Sequence, residues 1–264
     1  MKPEPGIGLF HSRCNAFASY FAWIALFSAS LSWAQTTLTV SAAASLKDAI
    51  VETEAAYKQS HASITFANNF GSSGTLAIQI DQGAPVDLFI SAAAKPMDQL
   101  EAKGLIVAKT RRNVLKNSLV LIAPHDSTLR DFQGLSDQSI HMIAVGDPGS
   151  VPAGQYGNQT LSALHLLDAV KSKLVLAKDV RQVLAYVETG NADAGLVYAT
   201  DAITSAKVRV VAVAPDWTHE PIIYPAAVVK GGHSEEAARN FVEFLSSTAA
   251  HAIFIKRGFT IAAQ

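Results

Sequence analysis

The 264-residue chain carries 21 lysines and arginines against 22 aspartates and glutamates, a formal net charge of −1, and 49% of its residues are hydrophobic. That balance excludes a nucleic acid or an anionic membrane surface as partner, since either needs a concentrated positive field, and the apolar share is enough for a sizeable core. The single cysteine, Cys14, excludes an internal disulfide and a cysteine-based metal site.

At the N-terminus Lys2, His11 and Arg13 precede an apolar run over residues 17–31, followed by Ser32-Trp33-Ala34. The run is short for a membrane span, and small residues occupy both positions that direct cleavage. Residues 1–34 therefore read as a secretory signal peptide cut after Ala34. Cys14 lies before the apolar run, which argues against a lipoprotein signal. The mature chain then starts at Gln35, has no cysteine, and works in the periplasm.

Short β-branched runs and amphipathic segments alternate from there on. Residues 37–40 predict a strand, 46–58 a helix and 64–66 a strand. The turn Gly71-Ser72-Ser73-Gly74-Thr75 opens a helix with apolar Leu76, Ile78 and Ile80, closed by Gly83 and Pro85. A strand follows at 86–90 and a helix at 97–103, while Arg111-Arg112 reads as solvated surface. Strands are expected at 118–123 and 140–145, a helix at 159–166 and another at 180–188 behind an Asp179 cap. Strands at 194–198, 208–213 and 224–229 precede helices at 235–245 and 249–257. Alternation of this kind implies βαβ units, mainly parallel sheets, and a ligand at the carboxyl ends of the strands.

Four strand-to-helix junctions are built from small or uncharged donors. They are Ala42-Ala43-Ala44-Ser45-Leu46, the Ser73 turn, the loop from Val145-Gly146-Asp147-Pro148 to Val151-Pro152-Ala153-Gly154, and Asp179-Val180-Arg181. The first N–H groups of a helix lack an intrahelical acceptor and sit at the positive end of its dipole, so such a turn can hold an oxyanion without a charged side chain. Each junction taken singly also reads as an ordinary cap or a rigid turn. Tyr198 ends a strand, where it can point into a crevice or sit in the core. Lys47 and Arg181 read as solvated surface.

With these junctions in this order behind an export signal, the chain resembles the periplasmic molybdate-binding proteins of ABC transporters, members of the type II periplasmic binding protein fold. Gln82-Gly83-Ala84-Pro85-Val86-Asp87-Leu88-Phe89-Ile90-Ser91-Ala92 and Gly195-Leu196-Val197-Tyr198 carry the resemblance together with the four junctions. It implies an α/β fold of two lobes, each a mostly parallel sheet flanked by helices, joined by two hinge crossings. The first lobe takes residues 35–116 and 226–264, the second 117–225. It further implies oxyanion contacts from the hydroxyl and N–H groups of Ser45 and Ser73, the N–H groups of Ala153 and Val180, and the phenol of Tyr198. The implied ligand is molybdate, with tungstate beside it, held with no cofactor and no direct metal-ion ligand. A membrane ABC permease is the implied partner, and the protein a monomer. Two positions depart from the family pattern: Ala93 stands where an Asp is usual, and Gly74 where some relatives have Ser.

The chemistry agrees with that expectation. A tetrahedral dianion at neutral pH offers four acceptor oxygens and no proton, so it requires donors only. The remaining alternatives are another oxyanion or small organic anion, and an exported serine hydrolase using Ser45 or Ser73. The hydrolase lacks support, for there is no Gly-x-Ser-x-Gly, Ser45-Leu46-Lys47 lacks Ser-x-x-Lys spacing, and the eight histidines form no His-x-x-x-His pair.

Overall fold

The computed structural model describes residues 35–263; the signal-peptide reading of residues 1–34 lies outside them. The first strand, β1 (Thr36–Ala43), runs three residues past its β-branched part, because Ser41, Ala42 and Ala43 are buried between two parallel neighbours. A single 3-10 turn, Ala44–Leu46, then feeds α1 (Lys47–Lys58). Next come β2 (Ile64–Gly71), α2 (Ser73–Asp81), β3 (Leu88–Ile90) and α3 (Ala94–Ala102). Of the three apolar residues that mark α2 in the sequence, Leu76 and Ile80 are buried while Ile78 is exposed: residues four apart share a helix face and one two apart points the other way. Arg111 is not simply solvated, since it reaches Asp98 and Glu101 on α3 at 2.6 Å each, just ahead of β4 (Arg112–Lys116).

The second half begins with β5 (Leu119–Pro124) and β6 (Ile143–Gly146). The helix expected at 159–166 is α4 (Pro152–Ala163), one loop earlier than the sequence suggests. Proline is tolerated at a first helical position because its missing N–H has no acceptor there, and His165, at φ 58°, ends the helical path. Then follow α5 (Leu167–Val170), β7 (Leu174–Ala177), α6 (Val180–Glu188), β8 (Ala194–Tyr198), α7 (Ala199–Ala202) and β9 (Val208–Val213). The chain closes with β10 (Ile223–Val228), α8 (Glu235–Phe244), α9 (Thr248–Lys256) and β11 (Thr260–Ile261).

Two sheets form. One has the order β11-β4-β10-β3-β1-β2 and the other β7-β6-β8-β5-β9, each parallel around one strand, β1 or β6, and antiparallel toward the strands next to the crossings. Register places the functional residues. Ala43 pairs with Gly71 and Ala42 with Ile90, so the turns after β1, β2 and β3 leave the first sheet at one end. Gly146 pairs with Ala177 and Ala144 with Gly195, so the turns after β6, β7 and β8 leave the second sheet together as well. The chain passes between sheets at residues 117–118 and 214–222. Asn117 ties the first passage to both sides, its Nδ2 donating to Thr200 Oγ1 at 2.8 Å and to Tyr224 Oη at 3.1 Å.

One buried acid lies away from these turns. Glu54 on α1 accepts a 2.9 Å bond from Asn68 Nδ2 through Oε2, while its buried Oε1 has no partner, and burial lifts its carboxyl from 4.5 to about 7. A folded-state value above the unfolded one means that Glu54 favours folding fully below about 4.5 and loses that contribution as pH rises through about 7. Glu54→Gln keeps the shape without the charge. Urea midpoints at about pH 5 and about pH 8 should therefore fall in the wild type relative to the variant as pH rises; parallel profiles would place the ionised carboxylate in contact with water.

Candidate functional site

The ends of the two sheets face each other across a small cavity of about 210 Å³, part of it continuous with solvent. Such a space suits one small ion. Ser45, Ser73, Ala153, Val180 and Tyr198 all line it, so the five residues expected to contact an anion come together at one place.

Helix starts supply the donors. Ser72 is the N-cap of α2 and its Oγ accepts from Thr75 N at 3.3 Å; Asp179 is the N-cap of α6 and its Oδ1 accepts from Gln182 N at 2.9 Å. In both helices the cap satisfies the third N–H and leaves the first, on Ser73 or Val180, without an intrahelical acceptor. Capping and presentation are thus divided between neighbours, Ser72 doing the first and Ser73 the second. In α4 Val151 offers no side-chain cap, Pro152 has no N–H, and Ala153 carries the first available donor. The only carboxylate on the cavity wall, Asp179, is directed into its own helix by the Gln182 bond.

Hydroxyl partners decide where the protons go. Ser73 Oγ accepts from Ala92 N at 2.9 Å, which leaves its own proton to be given elsewhere. Ser45 Oγ lies 3.1 Å from Tyr224 Oη, 179 residues away in sequence. Burial holds the Tyr198 and Tyr224 phenols well above their ordinary range, so both remain donors. Tyr198 Oη donates to Ala92 O across the cavity at 3.4 Å, a long bond that joins the two sheets. A second joining contact is tighter: Gly74 N donates to Ser150 O at 3.0 Å, and a Cβ at Gly74 would stand 2.4 Å from that oxygen.

Lys47 is exposed, as expected. Arg181 is not solvated surface. Its Nε lies 2.6 Å from Oδ1 of the fully buried Asp201 and its Nη2 2.8 Å from Asp48 Oδ2, because a carboxylate sealed in the interior requires a cation beside it. Burial raises the Asp201 carboxyl to about 7 against the pull of Arg181. Neither contact is legible locally, for Asp48 is 133 residues from Arg181. Among the described residues no cluster of three His, Cys, Asp or Glu is placed to hold a metal ion, and no helix is long and apolar enough to cross a membrane.

Residues 38–260 match the family described as bacterial extracellular solute-binding protein. The chain belongs to this family. YvgL of Bacillus subtilis, provisionally named an ABC transporter substrate-binding lipoprotein, is 48% identical over 226 residues, spanning 85% of this chain and 86% of YvgL. The molybdate-binding protein ModA of Haemophilus influenzae is 40% identical over 86% of this chain and 91% of its own. Among solved structures, the periplasmic molybdate-binding protein of Azotobacter vinelandii superposes with a TM-score of 0.78 at 26% identity, covering 86% of this chain and all of that one.

The Gly74 contact makes a geometric prediction for this solute-binding chain. In a crystal structure of Gly74→Ala the separation from Ser150 O should widen by at least about 1 Å, from 2.4 Å to the 3.4 Å of an ordinary contact, with loss of the Gly74–Ser150 hydrogen bond. Gly71→Ala, whose Cβ would meet only the Leu76 side chain at 3.5 Å, should leave that bond in place. An alanine at 74 with the bond retained would mean that the two turns yield more readily than their backbones suggest.

Proposed function

We propose that this protein captures molybdate, and tungstate as well, in the cavity between the two sheets and delivers it to a membrane ABC permease. One observation carries the reading: the cavity wall combines first-turn N–H groups with serine hydroxyls that each have a hydrogen-bond partner within the protein and a proton left to give. Ser73 Oγ is occupied by Ala92 N–H, and with Tyr224 donating to Ser45 Oγ the Ser45 proton is free for the cavity. A fully deprotonated tetrahedral oxyanion suits such a wall. Charge-assisted hydrogen bonds contribute roughly 1.5–3 kcal/mol each, so five to seven of them offset desolvation and closure and still leave about −8 kcal/mol, a sub-micromolar affinity.

On this reading Ser45, Ser73, Ala153, Val180 and Tyr198 contact the anion, Tyr198 by turning its proton from the long bond to Ala92 O toward the ligand, and no cofactor or metal-ion ligand takes part. The lobes are residues 35–116 with 226–264 and residues 117–225. The strand pairing of β10 with β3 and β4 favours moving the second change of lobe a few residues earlier, into 214–222. Anion contacts drawn from both lobes stabilise the closed form over the open one, which is how occupancy is signalled. We also place the protein in the periplasm as a monomer, its leader removed after Ala34. The relatives' names support transport over catalysis, and neither serine hydroxyl is hydrogen-bonded to a base.

Calorimetry against an oxyanion panel tests the proposal. Molybdate and tungstate should bind far more tightly than sulfate, which is smaller, or hydrogen phosphate, whose proton finds no acceptor; equal affinity for sulfate would favour a general oxyanion carrier. Ser45→Ala and Ser73→Ala should each weaken molybdate binding about ten- to a hundred-fold, by roughly 1.5–3 kcal/mol. They should differ in stability. Ser73→Ala also strips the buried Ala92 N–H of its acceptor and so should lower the ligand-free melting temperature more than Ser45→Ala. Tyr198→Phe should act mainly by speeding release, since it removes a donor of the second lobe.

A further inference from the structure

Arg181 occupies the second position of α6, next to Val180, whose N–H is one of the proposed anion donors. From there its guanidinium divides between two carboxylates on different sides of the cavity. Asp201, on α7 beside the second sheet, is fully buried and holds Nε at 2.6 Å, with Thr204 Oγ1 at 3.3 Å from Nη1. These partners share the second sheet's side with α6, so they keep the guanidinium in place whether the lobes are open or closed. Asp48 belongs to the other side. It lies in the first turn of α1, directly after the turn that carries Ser45, and receives Nη2 at 2.8 Å. That contact exists only while the two helix starts are together.

The other cations near Asp48 do not compete for it. Lys256 and Arg257 are both taken by Glu52, one turn along α1. Helix α6 also packs on the Ala44–Leu46 turn, so the Arg181–Asp48 pair spans the point where the two lobes touch beside the anion. Closing brings the positive ends of two helices toward each other, which opposes closure unless something of opposite sign intervenes.

We propose that Arg181 is a positioning residue that, through Asp48, latches the lobes over the bound anion and so sets how fast it is released. This rests on the oxyanion-binding reading above. The latch touches no ligand atom and is built from the protein's own charges. Its effect is opposite in sign to a simple field effect: removing the negative charge of Asp48 should by field alone slow the loss of a dianion, whereas removing a latch should speed it.

Rapid-mixing kinetics on the mature protein, with molybdate as the probe, separates the two. Asp48→Asn should release molybdate about two- to tenfold faster than wild type, with the association rate and the ligand-free melting temperature little changed. Asp48→Glu should recover most of the slow release. Release from the wild type should quicken with added salt, and release from Asp48→Asn should not, because the pair is partly exposed and screened. Release that is unchanged or slower in Asp48→Asn overturns the latch. Should the wild type fail to bind molybdate, the ligand reading falls and the latch is decided without ligand. Spin labels at Ile78→Cys and Met142→Cys, both exposed, in the mature protein should then show fewer short inter-lobe distances when Asp48→Asn is added than without it, and an equal distribution overturns it.

Discussion

A buried N–H without an acceptor is among the most expensive things a protein can hold, and here several converge on one small cavity. Ser73 opens α2, Ala153 is the first donor of α4, and Val180 opens α6; each lines the same cavity wall. The arrangement is stable in water-filled form but becomes favourable in a dry, closed cavity only when an anion meets the donors.

The two halves are held together by contacts that tolerate little change in shape. On one side of the cavity Gly74 N–H meets Ser150 O with no room for a Cβ, and on the other Tyr198 reaches Ala92 O. Around the first crossing, Asn117, Thr200, Tyr224 and Ser45 make one continuous chain of side-chain hydrogen bonds from the second sheet's helix α7 to a proposed anion contact. Ser45 is thereby oriented by residues from remote parts of the chain. A binding hydroxyl is set by its own neighbours as much as by its place at a helix start.

How much of this was legible depended on whether the deciding signal was local. Helix α6 and strands β8 and β9 fall where the sequence places them, because an Asp cap announces α6, β8 is a short apolar run that is buried throughout, and β9 is a compact β-branched run. Strands β4, β7 and β11 carry no such signal: β4 begins with an arginine, β7 is an edge strand with Leu176 exposed, and β11 is two residues long. The start of α4 was obscured by Pro152-Ala153-Gly154, a loop-like triplet whose proline is in fact at home in a first helical turn. The departure at Ala93 has a visible result as well, for α3 begins there with no side-chain cap. Long-range pairings escaped the sequence altogether. Nothing near Arg181 points to Asp48 or Asp201, and nothing near Ser45 points to Tyr224.

The proposed anion lies among uncharged donors and not on surface cations. Crystals grown with tungstate allow the metal to be located by anomalous scattering, independently of any fit to the surrounding density. The account predicts one tungsten peak inside the cavity, with its oxygens at about 2.7–3.2 Å from the N–H groups of Ala153 and Val180 and the hydroxyls of Ser45 and Ser73. A peak lodged instead beside Lys256 and Arg257, with the cavity free of tungsten, would contradict it.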